Sequence, residues 1–170
     1  MTKTAYIGLG SNLPSIAGDP KATLIAAVAR LGSLGVVTAQ SSFYETEPVG
    51  YAAQPRFVNA AVALQTNHTP MELLDRLLAI EREFGRDRTQ TPAKGPRTLD
   101  LDLLLVDGVV LNHDRLTLPH PEMARRRFVL APLAEIAPGA VHPLLGKTTG
   151  VLLNELGDEG QNRVEAVIIS

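Results

Sequence analysis

From Thr98 to Leu105 the chain alternates: Leu99, Leu101, Leu103 and Leu105 fall on one parity, and Thr98, Asp100, Asp102 and Leu104 on the other. Successive side chains of a strand point to opposite faces, so this pattern predicts a strand whose leucine face lies against a core. Thr4 to Leu9, Val36 to Phe43 and Phe57 to Gln65 read as three earlier strands. Between them the period becomes helical. Leu24, Ala27, Val28 and Leu31 share one helical face behind an Asp19-Pro20 start, and Gly32 ends that helix. Thr69-Pro70-Met71-Glu72 is a capping box with proline at the first helical position. The helix it opens runs to Phe84, stops at Gly85 and aligns Leu73, Leu74, Leu77, Leu78, Ile80 and Phe84. After the alternating strand, Gly108 turns a hairpin that Val109 to Asn112 continues, and Arg125 to Phe128 lie on a short helical segment. Val129 to Ile136 and Thr149 to Leu156 read as helices, and Val164 to Ile169 as a last strand.

The order strand, helix, strand, strand, helix, strand predicts an α+β fold of ferredoxin-like βαββαβ type. An antiparallel sheet would carry helices packed on it, with extra elements at the C-terminal end. At 170 residues, one domain over positions 1–170 is the expectation. With no cysteine there is neither a disulfide framework nor a zinc–thiolate site. The start, M-T-K-T-A-Y-I-G, does not read as a signal peptide, and no apolar run approaches membrane length. These readings predict a cytoplasmic protein without a membrane partner. A formal net charge of −2 gives no reason to expect nucleic acid. Nothing demands an oligomer, and a monomer is expected.

Charge changes the picture through its distribution. Ten of the sixteen Lys and Arg lie between Arg76 and Arg127, on either side of the alternating strand. The polar face of that strand carries Asp100 and Asp102, whose backbones would stand about 6.6 Å apart. Two like charges so close on an apolar strand raise each other's pKa. Divalent cations remove the conflict, because both carboxylates then stay ionised as ligands. Two solvated aspartates at the end of an edge strand are the plainer alternative. A basic ring around an acidic pair suits a polyanion carried with its metal ions.

Other positions invite two readings each. Asn59 lies within the apolar strand F-V-N-A-A-V-A-L-Q, on the same face as Phe57. Its amide either bonds a neighbouring loop or reads the edge of a flat heterocycle, with Phe57 as a stacking surface. Tyr44 to Pro55 reads as a loop long enough to close over a ligand. Glu81 projects within an apolar helical arc, which means a salt bridge to a nearby Arg or a functional role. Arg86, Arg88, Lys94 and Arg97 are surface charges or the cations of a mobile lid. His120 is held between two prolines, after Arg115 and Thr117. Two nucleotide motifs are excluded. Gly8-Leu9-Gly10 has Leu13 where a dinucleotide fingerprint needs glycine, and reads as a tight strand exit. Leu145-Gly146-Lys147-Thr148 has Val141 where a phosphate loop needs glycine.

Several separate pieces match one family. They are G-L-G-S-N-L at 8–13, S-S-F-Y-E-T at 41–46, F-V-N-A-A-V at 57–62 and I-E-R-E-F-G-R-D-R at 80–88. G-P-R-T-L-D-L-D at 95–102 and R-L-T-L-P-H-P at 115–121 complete the set. In these pieces the chain resembles hydroxymethyldihydropterin pyrophosphokinase of the folate pathway. The resemblance implies transfer of pyrophosphate from ATP to the hydroxymethyl group of a reduced pterin, releasing AMP. It implies that Asp100 and Asp102 hold two Mg2+ ions. Asn59 would read the pterin edge between the rings of Phe57 and Phe128, with Thr46 and Val49 meeting the pterin through backbone groups. Glu81, Leu103, Arg115, Thr117, His120 and Arg126 would hold the nucleotide. Arg86 and Arg88 match lid arginines, and Arg88 and Arg97 would also hold the nucleotide. Where the family often has Tyr this chain has Phe57, and its lid reads T-Q-T-P-A-K before Gly-Pro-Arg. Two other classes compete: a nucleotidyl transferase or cyclase on the same fold, and a non-catalytic nucleotide-binding module.

Overall fold

The computed structural model describes residues 2–46, 55–86, 96–156 and 167–169. Its centre is a sheet of six strands: β1 (Lys3–Ser11), β2 (Val36–Gln40), β3 (Phe43–Thr46), β4 (Phe57–Thr66), β5 (Asp100–Val106) and, after four short strands, β10 (Val167–Ile169). The order is β10-β3-β4-β1-β5, with β2 also paired to β4, and every pairing is antiparallel. Helices α1 (Pro20–Leu31) and α2 (Pro70–Glu83) complete the ferredoxin-like βαββαβ core. Asp19 caps α1 by accepting from Ala22 N. The capping box of Thr69 and Glu72 forms at α2, and Gly85, at φ +86°, turns the chain out of it.

The leucine face behaves as expected as far as Leu103. Leu99, Leu101 and Leu103 lie in the core that α1 and α2 cover, with Ile7, Leu9, Val62, Leu64, Leu73 and Leu77. Leu105 does not. The ladder runs Ile7 to Leu103 and then Tyr6 to Leu105, leaving Leu104 as an extra residue. This bulge reverses the parity. Leu104 and Leu105 both join a second cluster on the opposite face, and Val106 returns to the first. The second cluster also holds Ala61, Met123, Leu130, Leu133 and Leu152, contributed partly by α3 (Arg127–Ile136) and α4 (Thr149–Glu155).

Other expectations change in detail. The second strand is two strands, broken at Ser41-Ser42, so Tyr44 to Thr46 are sheet and not loop. Gly8 and Gly10 lie inside β1, not at a turn beyond it. The chain after Gly108 pairs β6 (Leu111–Asn112) with β7 (Thr117–Leu118) in a separate two-stranded sheet, not with β5 as a hairpin. The last pair is β8 (Val141–His142) with β9 (Lys147–Thr148), before α4. The last strand is the short β10, which pairs with β3; positions 164–166 lie outside the described residues.

Candidate active site

One sheet face is covered by α1 and α2, while α3 and α4 cover only part of the other. The part near the ends of β1, β4 and β5 carries the polar residues. Directly opposed residues of an antiparallel pair share a face. The register puts Gly10 between Asn59 and Asp100, and Gly8 between Ala61 and Asp102. The two aspartates and Asn59 therefore stand on one face, separated by a strand that presents only glycines. A Cβ at Gly10 would lie 3.0 Å from Asn59 Oδ1, 3.8 Å from Phe57 Cδ1 and 3.9 Å from the Asp100 Cβ. A Cβ at Gly8 would meet Leu104 Cδ1 at 3.3 Å. The glycines thus leave a bare floor between an amide on one side and two carboxylates on the other.

Each wall is held. Asn59 is buried and donates from Nδ2 to Thr46 Oγ1 at 2.5 Å, so its bond to a neighbouring strand is realised. Its Oδ1 faces Gly10. Asp100 lies 3.3 Å from an Arg97 nitrogen and 3.5 Å from one of Arg86. Arg86 also donates to the Leu99 carbonyl at 3.1 Å and is 6% exposed. It is therefore built into the start of β5 and is not a surface charge. Glu81 is 1% exposed, and its carboxylate accepts from Leu101 N at 2.7 Å. That bond fixes β5 from the helix side, beneath the aspartates. Leu103 points into the α1–α2 core, so only its backbone can meet a nucleotide.

Beyond β5, the extra residue of the bulge gives the site a further group. The Leu104 carbonyl accepts from His120 N at 2.8 Å, and His120 Nδ1 accepts from Glu122 N at 3.1 Å. In the neutral ring the proton then resides on Nε2. Thr117 lies half-buried in β7. Arg115 reaches Asp75 of α2 at 2.6 Å, both half-exposed, so it already spends one nitrogen on a surface pair. Phe128 lies in the first turn of α3 with the Arg126 guanidinium 5.7 Å from its ring centre, and Arg97 stands 5.5 Å from that of Phe57. Val49, Arg88 and Lys94 fall outside the described residues.

Asn12 has no role in the reading of the sequence beyond its place in G-L-G-S-N-L. It is 2% exposed. Its Oδ1 accepts from Arg97 N at 2.8 Å, its own N donates to Arg97 O at 3.1 Å, and its Nδ2 donates to Pro55 O at 3.0 Å. An Asn just past a strand of alternating glycines was the available signal.

A bare floor between an amide and paired carboxylates fits a flat polar ligand beside a metal-bound polyanion. Comparison with known proteins decides the lineage. Residues 6–138 match the family model for 7,8-dihydro-6-hydroxymethylpterin-pyrophosphokinase (HPPK). The chain belongs to the HPPK family. It is 48% identical over 138 residues to the 2-amino-4-hydroxy-6-hydroxymethyldihydropteridine pyrophosphokinase of Bacillus subtilis, covering 80% of this chain and 79% of that one. The protein of the same name from Methylorubrum extorquens is 44% identical over 163 residues, 95% and 98% of the two chains. Among solved structures, Plasmodium falciparum HPPK-DHPS with pteroate superposes with a TM-score of 0.70 at 15% identity. That match covers 91% of this chain and 42% of the longer one, and it speaks for the fold alone. The HPPK match at 6–138 spans β1 through α3, and so every described wall of the site.

Proposed function

We infer that this chain transfers pyrophosphate from ATP to the hydroxymethyl group of 6-hydroxymethyl-7,8-dihydropterin, a step of folate biosynthesis. The products are AMP and the pterin diphosphate. One observation carries the reading: Asp100 and Asp102 face the same bare floor as Asn59 and Phe57, across the glycines of β1. Membership in the HPPK family supports it.

In our reading the pterin lies flat on the floor. Phe57 offers its ring from one side and Phe128 from the other, Asn59 reads the heterocycle edge, and Thr46 and Val49 border it. Glu81, Leu103, Arg115, Thr117, His120 and Arg126 hold the nucleotide, with His120 Nε2–H as a donor to a phosphate oxygen. Arg86, Arg88 and Arg97 supply positive charge beside the polyphosphate.

Asp100 and Asp102 would hold two Mg2+ ions. The donor set fits, because Mg2+ binds through one or two carboxylates together with substrate phosphates, not in an all-protein cage. Among the described residues no group of three or more potential ligands exists, so phosphate oxygens would complete the shell. Bound there, the ions neutralise charge developing on the phosphates and lower the pKa of a coordinated hydroxyl. The pterin hydroxyl oxygen forms its bond to the β-phosphorus as the bond from that phosphorus to the α-phosphate oxygen breaks; AMP leaves with that oxygen, and the hydroxyl proton is lost late, to solvent. Little covalent chemistry falls to the protein in such a transfer; its work is in-line placement and electrostatic support. We propose a monomer that works in the cytoplasm, where ATP is available as co-substrate. Among the described residues no helix is long and apolar enough to cross a membrane.

The test is phosphorus NMR of a reaction holding protein, ATP, Mg2+ and hydroxymethyldihydropterin, with controls lacking each. AMP and a pterin diphosphate, formed only when all are present, are expected. ADP would mean an ordinary kinase, and free pyrophosphate a nucleotidyl transferase; either would overturn the assignment.

A further inference from the structure

The break between β2 and β3 is bridged by a single carboxylate from the helix above it. Gln40 pairs with Val62 and Tyr44 with Asn59, so three residues of one strand face two of the other. Ser41 repairs half of the break. Its N donates to the Ala61 carbonyl at 2.9 Å, and its hydroxyl accepts from Ala61 N at 2.9 Å, in place of the missing backbone acceptor. The other half falls to Glu135 of α3. Its two carboxylate oxygens accept from Ser42 N at 3.1 and 2.9 Å, from Ser42 Oγ at 3.0 Å and from Tyr44 Oη at 2.6 Å. Burial pushes the Glu135 carboxyl upward, but the bonds from Tyr44 and Ser42 outweigh it, and its pKa lies below the usual range. Burial and the facing carboxylate push the Tyr44 phenol up.

Glu135 stands seven residues, two helical turns, beyond Phe128, so the two share one face of α3. Tyr44 is the cross-strand partner of Asn59, and Thr46, two residues on, accepts the Asn59 amide. The contacts of Glu135 therefore tie the helix face that bears Phe128 to the strand segment that backs Asn59.

We propose that Glu135 is a positioning residue for pterin binding, which through Ser42 and Tyr44 fixes the roll of α3 against β3 and so the gap between the Phe57 and Phe128 rings. This rests on the pterin reading given above. Among the described residues the hydrogen bonds of Glu135 go to Ser42 and Tyr44, whereas Arg126, the nucleotide residue next to α3, lies at the far, N-terminal end of the helix.

The experiment compares steady-state constants for wild type, Glu135→Ala, Glu135→Gln, Tyr44→Phe and the double variant Tyr44→Phe/Glu135→Ala. Glu135→Ala is expected to raise the pterin KM about tenfold while the ATP KM stays within twofold. Glu135→Gln keeps an acceptor for Ser42 N and should recover most of the loss. The double variant should be no worse than Glu135→Ala, because both changes cut one linkage. Equal effects on the two substrates, or a lowered melting temperature with unchanged constants at 25 °C, would reduce Glu135 to a stability role and overturn the proposal. If Glu135→Ala does not fold, Glu135→Gln and Tyr44→Phe are read by the same split, with a two- to fivefold rise in pterin KM expected. A failure of the pterin reading shows in the wild type, as absence of pterin-dependent AMP; a failure of this inference shows only in the variants.

Discussion

At the scale of single residues, Asp100 is tied to the fold by charge as well as placed at the site. Asp100 stands between Arg97 and the buried Arg86, so removing its charge takes one ion-pair partner from each guanidinium. Asp100→Ala and Asp102→Ala should each lower kcat about a thousandfold, as loss of charge stabilisation at a transferring group does. Asp100→Ala should in addition cost about 2 kcal/mol of stability; urea unfolding beside kinetics separates the two effects. Gly10 is the opposite case, a residue that matters for what it lacks. Gly10→Ala sets a methyl 3.0 Å from Asn59 Oδ1, and should raise the pterin KM about tenfold, roughly 1.4 kcal/mol, with the ATP KM little changed. Equal change in both constants would contradict the floor assigned to the glycines. The aspartate pair and Asn59 were legible in the sequence because a polar residue on an apolar strand demands an explanation. The glycines were misread as a turn, since G-x-G looks the same inside a strand as after it. Asn12 was legible only as a polar residue just past the glycines, because its partners Pro55 and Arg97 lie 43 and 85 residues away.

Elements show where periodicity succeeds and where it stops. The capping box, both long helices and the chain order came through because each has a local signature. The β2–β3 break did not, because Ser41-Ser42 continues an acceptable alternation and the extra residue is visible only against β4. The bulge at Leu104 is hidden for a simpler reason: Leu103, Leu104 and Leu105 are identical, so a change of face leaves no mark. Glu81 carried a signal, a carboxylate in an apolar arc, and one of its partners proves to be the strand amide of Leu101. That bond makes α2 and β5 one mechanical unit. Glu81→Leu should strip Leu101 N of its acceptor, cost about 1–3 kcal/mol and speed hydrogen exchange at that amide above its neighbours. Exchange unchanged at Leu101 would remove Glu81 from this role.

At the scale of the whole molecule, the described residues form a sheet sealed on one face and half-sealed on the other. The second layer shares β5 with the first through the leucines on either side of the bulge. We therefore propose that positions 1–170 form one domain, which should unfold in urea in a single transition, coincident by far-ultraviolet circular dichroism and tyrosine fluorescence. Two transitions, with the α3–α4 layer lost first, would divide the chain. The open half of the second face is where the site residues collect, and there the side chain of Asn12 takes on a wider meaning. It grips the chain at Pro55, just ahead of β4, and at Arg97, just ahead of β5. One side chain thus works as the knot of a drawstring: neither point can shift without pulling on the other, and both pull on the end of β1.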